Sequence, residues 1–131
     1  MSEDLTEKQE QIKEDFTKER HYWDEELLGS FLRMAPDYLE AYLNYSAVPW
    51  KTGVLPLKVK EFIYIAINAA TTHLYEPGLR RHIRNALERG ATKEEIVEIM
   101  GLVSALGSHS FTVGLPVLEE ELKNAEGREK K

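Results

Sequence analysis

Four histidines, His21, His73, His82 and His109, are the side chains best suited to moving protons near neutral pH. The chain has no cysteine, so it has no thiol nucleophile, no disulfide frame and no thiolate metal site. His82 sits inside Arg80-Arg81-His82-Ile83-Arg84, which gathers three guanidinium groups on one short stretch. Such a cluster can grip a carboxylate or phosphate through paired N–H donors. The plainer reading is a solvated face paired with Glu76 and Glu88. His73 closes a helix, where a cation suits the C-terminal dipole. His109 follows Gly107-Ser108 at a helix junction, and His21 reads as surface or packing.

Glu61, Tyr64, Asn68, Thr71/Thr72 and Tyr75 form a polar stripe at helical spacing on an otherwise apolar segment. A buried polar stripe has to be satisfied, because an unpaired buried group costs roughly 1–3 kcal/mol. Three arrangements satisfy it: a polar pocket, a subunit interface or plain exposure. Glu61 is expected in the first turn of its helix. There a carboxylate complements the dipole, or acts as a general acid/base if burial perturbs it. A zinc site needs three or four converging ligands. The chain holds no His-x-x-x-His pair, and only His73 with Glu76 offers a short spacing. The expectation is no metal and no cofactor, with a metal enzyme using His73, Glu76, His82 and His109 as an alternative. Ser104, Ser108 and Ser110 flank His109 without a Gly-x-Ser-x-Gly elbow, and no Gly-rich phosphate loop appears.

Helical periodicity dominates the elements that would hold these groups, and no segment alternates at period two. Leu5, Ile12 and Phe16 mark a solvated, partly frayed first helix with one weak apolar face. Asp24 is an N-cap for Leu27, Leu28, Phe31 and Leu32. Pro36 starts the next helix. Residues 49–56 read as a loop. A long buried helix is expected from Leu57 to about His73, followed by a turn at Glu76-Pro77-Gly78 and a helix from Leu79 to Arg89. Gly90 suits the left-handed position after it. Thr92-x-x-Glu95 is a capping box opening another helix. Gly107 breaks or kinks that helix, and a last one follows from Ser108 to Leu122, bent at Gly114 and Pro116.

At 131 residues and 42% hydrophobic, the chain suits one domain with one core. A formal charge of -6 argues against a nucleic-acid partner. Residues 1–20 contain no apolar core of signal type. The apolar run from Phe62 to Ala70 is interrupted by Tyr64 and Asn68, and spanning a bilayer takes roughly 20 residues. The expectation is a cytoplasmic protein with no membrane partner.

The block from Leu57-Lys58-Val59-Lys60-Glu61-Phe62-Ile63 through His82-Ile83-Arg84-Asn85-Ala86-Leu87-Glu88-Arg89-Gly90 to Thr92-Lys93-Glu94-Glu95-Ile96 resembles the carboxymuconolactone decarboxylase family, with its alkylhydroperoxidase D-like (AhpD-like) relatives. The resemblance implies an all-α, AhpD-like bundle of about six or seven helices in a single, oligomeric domain. It implies a homotrimer or homohexamer with a pocket near an antiparallel helix pair. The expected boundaries are a charged helical extension over 1–22, the family domain over 23–123 and a charged tail over 124–131. In the thiol-dependent branch, Glu61 and His82 match a Glu and a His that relay protons around a Cys-x-x-Cys. Here those Cys positions hold Tyr75 and Gly78 counting from His82, or His73 and Glu76 counting from Glu61. Either way no thiol remains, which excludes thiol peroxidase chemistry of that type.

The resulting expectation is a cofactor-free decarboxylase or isomerase, a lyase if it decarboxylates, acting on a small acidic or lactone substrate. Glu61, His82 and His109 are its candidate catalytic residues. His73, Tyr75, Arg80, Arg81 and Asn68 are candidates for binding. A non-catalytic oligomer binding a small molecule on the same fold is the competing reading.

Overall fold

Thr6 opens helix α1 (Glu7–Arg20) with a reciprocal capping box: its hydroxyl accepts from the Gln9 amide, and the Gln9 side chain accepts from the Thr6 amide. The computed structural model describes residues 4–129. Residues 1–3 and 130–131, parts of the expected extension and tail, lie outside the described residues. The stripe of α1 is no weak face, because Ile12, Phe16 and Arg20 are all buried. Ile12 and Phe16 join Leu28 and Leu32 of α2 (Glu25–Met34), Leu39 and Leu43 of α3 (Pro36–Ser46), and Ala47 in one apolar cluster. The sequence expectation missed this because lysines and glutamates fill the solvent side of α1. Their polarity lowers the average without weakening the buried face.

Asp24 caps α2 through the Leu27 amide at 3.1 Å, as expected. Pro36 occupies the first turn of α3. The expected loop at 49–56 begins with a single helical turn, α4 (Val48–Lys51), which buries Trp50. Helix α5 (Leu57–Ala69) stops before His73, because Ala70 adopts an extended ψ of 134°. The chain then doubles back, and the Tyr75 amide donates to the Asn68 carbonyl at 2.9 Å. Glu76-Pro77-Gly78, expected as a turn, is the first turn of α6 (Glu76–Glu88), where proline fits because that N–H has no helical partner. Gly78 is required there: a Cβ would stand 2.8 Å from the Asn68 side-chain amide.

Helices α5 and α6 pack antiparallel, with Glu61 beside Asn85 and Asn68 beside Gly78. Gly90 takes φ 85° just beyond α6. Helix α7 (Lys93–Val103) starts from the Thr92–Glu95 capping box and closes a second cluster of Ile65, Ala86, Ala91 and Ile96. Gly107 lies within a 3-10 segment (Ser104–Ser108) that leads into α8 (His109–Glu129). Helix α8 accepts Pro116 internally and runs beyond Leu122, the expected end. The fold is thus all-α, with seven longer helices and the one-turn α4 forming one domain among the described residues.

A second apolar segment lies outside 62–70: an 18-residue window of mean hydropathy 1.4 falls within Lys93–Glu129, and only 6% of it is buried. By length and composition this helical segment could cross a bilayer.

Candidate active site

Side chains of α1, α4, α5 and α6 converge between the two apolar clusters, and ionisable groups are buried where they meet. Glu61, 0% exposed, comes from the second turn of α5 rather than the first. His82, 2% exposed, comes from α6. Their separation, Oε2 to Nδ1, is 2.6 Å. The other Glu61 oxygen accepts from Asn85 Nδ2 at 3.3 Å, and Arg89 Nε lies 3.8 Å away. Both carboxylate oxygens are therefore occupied. A carboxylate facing Nδ1 favours the tautomer with its proton on that nitrogen. Nε2 is then left as the acceptor, the arrangement of an imidazole base oriented by an acid.

Aromatic rings wall the imidazole. Tyr64 lies 4.7 Å from it, Trp50 6.3 Å away and nearly parallel, and Tyr22 6.1 Å away edge-on. His82 borders a cavity of about 340 Å3. Asn68, Tyr75, His73, Arg81, Tyr64, Tyr42 and Arg20 share that border. The cavity is of the size that holds a small organic acid.

The structure brings together most of the expected residues. Glu61 and His82 are in contact, and Asn68, Tyr75, His73 and Arg81 line the same hollow. Arg81 is already engaged: it pairs with Asp24 at 3.0 Å and lies over the Tyr22 ring at 3.8 Å. Arg80 pairs with Glu76 on the exposed side of α6, which is the plainer reading of the arginine cluster. His109 stands apart within one chain. It is exposed, its Nδ1 lies 2.9 Å from Thr112 Oγ1, and it borders a separate shallow apolar hollow beside Ala66 and Leu106. His73, Glu76, His82 and His109 do not converge: among the described residues no three or more His, Cys, Asp or Glu side chains gather as metal ligands.

Sequence reasoning passed over Arg20, Tyr22, Trp50 and Asn85. Arg20 was detectable, because it continues the buried stripe of Ile12 and Phe16 at four-residue steps. Its guanidinium is 2% exposed, with Nη1 2.6 Å from Ser46 Oγ and Nη2 3.4 Å from Tyr64 Oη. Asn85 lies one helical turn beyond His82 and so faces the same carboxylate. Trp50 and Tyr22 come from segments with no periodic signal.

Nearby, burial lowers the His21 pKa first, with Arg89, Lys60 and Arg20 adding to the effect and Glu61 opposing it. Burial likewise raises the Tyr22 phenol, against the opposing pull of Arg20 and Arg81.

Comparison with known proteins agrees with this architecture. No curated protein matches the chain in sequence. A crystal structure from Burkholderia xenovorans LB400, provisionally titled a gamma-carboxymuconolactone decarboxylase subunit, is 46% identical and superposes with a TM-score of 0.89. The match covers 95% of this chain and 50% of that one, so the chain spans about half the length of its solved relative. Residues 36–120 match the carboxymuconolactone decarboxylase family, and with no cysteine anywhere in the sequence the Cys-x-x-Cys of its thiol-dependent relatives is missing. An antiparallel α5–α6 pair, a buried carboxylate–imidazole contact and a match over most of the chain place this protein in the carboxymuconolactone decarboxylase family.

Proposed function

We propose that the protein is a cofactor-free decarboxylase or isomerase of small carboxylated or lactone substrates, with His82 moving the proton and Glu61 holding His82. The observation behind this reading is the 2.6 Å contact between two buried ionisable groups beside a cavity. An imidazole on a cavity wall, backed by a buried carboxylate, suits proton transfer at carbon. In a decarboxylation, the bond from carbon to the carboxylate breaks and its electron pair passes into the adjoining conjugated carbonyl. His82 Nε2 takes a proton from solvent and passes it to the resulting enolate carbon, which returns the imidazole to its starting form. In an isomerisation, Nε2 removes a proton from a carbon next to the carbonyl and returns it elsewhere on the same conjugated system. Both steps balance without metal or redox partner. Asn68 and Tyr75 supply polar contacts on the same wall, with His73 and Arg81 toward its rim.

The name of the Burkholderia relative, a decarboxylase subunit, supports both the reaction class and an assembly. Helix α8 supports the assembly independently. Phe111, Val113, Leu115, Val117, Leu118 and Leu122 are all exposed on it, and among the described residues it packs mainly on the 3-10 segment before it. So large an apolar face on a single chain calls for cover. Further copies of this chain provide it in a homotrimer or homohexamer in the cytoplasm, with no membrane or nucleic acid involved.

The test is a panel of small unsaturated lactones and 3-oxo acids incubated with the protein in D2O and followed by NMR. The expected result is carbon dioxide loss or deuterium uptake at carbon that is abolished by His82→Asn. Turnover that persists unchanged in His82→Asn overturns the reading, as does no reaction across the panel.

A further inference from the structure

Arg20 is a cation in a place where cations are expensive. It is 2% exposed and forms no ion pair among the described residues; its contacts are the Ser46 and Tyr64 hydroxyls. Its Nε has no hydrogen-bond partner. Five aromatic rings, Phe16, Tyr22, Tyr42, Trp50 and Tyr64, stand within 5.5–5.9 Å of its central carbon. Rings stabilise a cation through their faces but leave its charge unneutralised. The other cations near the dyad have partners: Arg81 has Asp24, Arg89 approaches Glu61, and Lys60 donates to the Trp50 carbonyl. Among the described residues, the acidic partners of Arg20, Lys60, Arg81 and Arg89 are Glu61 and Asp24. This positive excess sits inside a chain whose net charge is -6. Burial is the first cause of the lowered His21 pKa, and Arg89, Lys60 and Arg20 add to it.

We propose that Arg20 is the anchor for a substrate carboxylate: a buried guanidinium on the wall of the cavity that His82 also borders, it takes its counterion from the ligand. The inference rests on the proposed reading of that cavity as a substrate site, and it moves the carboxylate-binding role from Arg81, which Asp24 already holds, to Arg20. A planar guanidinium can present two parallel donors to a carboxylate, which fixes the orientation of the acid relative to His82. The aromatic cage holds the guanidinium in place before the ligand arrives. This makes Arg20 a specificity-determining residue that selects acids over their neutral amides and esters.

The test is calorimetric titration of the full chain with glutarate and with glutaramide, its neutral counterpart. The unmodified protein is expected to bind glutarate and not glutaramide. Arg20→Met is expected to weaken glutarate binding roughly 10- to 100-fold, in keeping with loss of a charged hydrogen-bonded contact. Arg81→Met should weaken it less, and Arg20→Lys should restore part of the affinity. The melting temperature supplies the readout a purely structural role would move. Replacing an unneutralised buried cation by an apolar side chain of similar length should leave it unchanged or raise it. If Arg20 serves only to hold the rings together, Arg20→Met melts lower and binds whatever the unmodified protein binds. If Arg20→Met does not fold, Arg20→Lys carries the test, with a weakened affinity expected and an unchanged one overturning the proposal. No saturable binding of glutarate to the unmodified protein, or a larger loss in Arg81→Met, also overturns it. Because turnover is not measured, failure of the proton-transfer reading leaves this result intact. Conversely, if His82→Asn abolishes turnover while Arg20→Met leaves KM unchanged, the Arg20 assignment alone falls.

Discussion

Glu61 and His82, 21 residues apart in the chain, face each other at 2.6 Å across the α5–α6 pair, with neither open to solvent. Removing one member strands the groups that depended on it. Glu61→Leu leaves His82 Nδ1 without its acceptor and Asn85 Nδ2 with only the longer contact to the His21 carbonyl at 3.5 Å, and the orphaned imidazole N–H should cost about 1–3 kcal/mol. The double variant Glu61→Leu/His82→Leu should recover part of that loss. A double-mutant cycle from urea unfolding checks this, and additive single effects would contradict a direct contact.

Phe16 tests the place of α1 in the fold. It is 0% exposed and packs edge-on against Tyr22 and Trp23. Phe16→Ala should lower stability by about 3–5 kcal/mol, the range for deleting a fully buried aromatic side chain. A dispensable, frayed helix would show almost no change in the unfolding midpoint.

His21 predicts a pH dependence. Its folded pKa is depressed from 6.5, chiefly by burial and then by Arg89, so the unfolded chain binds more protons near and below that pH. The stability it contributes is complete above pH 6.5 and is lost as pH falls through the lower folded value. Melting temperatures measured from pH 7.5 down to 5 should fall, and His21→Asn should fall less steeply over the same window. Parallel curves for the two proteins would contradict the assignment.

Helix α8 predicts self-association. Leu115→Glu with Leu118→Glu places charge on its exposed apolar face. Light scattering after size exclusion should show an assembly for the unmodified chain and monomers for the variant. An unmodified chain that is monomeric without detergent removes the assembly reading. One that stays soluble only in detergent points instead to a bilayer around Lys93–Glu129.

The sequence by itself determined the helices, because capping and periodicity act over a few residues. Thr92 and Glu95, Asp24 and Gly90 all behave as their types dictate. It also determined the absence of cysteine thiol chemistry, since no folding of these residues supplies a thiol they lack. Glu61 and His82 were legible as candidates from their types and from the family resemblance, but neither residue type nor spacing established that they touch. Their contact belongs to the antiparallel pairing of α5 and α6, in which Ala70 turns extended and Pro77 lies in the first turn of α6. Arg20 lay on the stripe of Ile12 and Phe16, but its side-chain type argued against burial. Local rules place an arginine in a charged helix on the surface, and only the meeting of α1, α4 and α5 buries it among rings. His109 shows the converse, since a residue type suited to catalysis stays exposed and meets the Thr112 hydroxyl of its own helix, away from Glu61 and His82. Short-range physics wrote the elements, while the buried charges at their junction exist only because distant segments pack against one another.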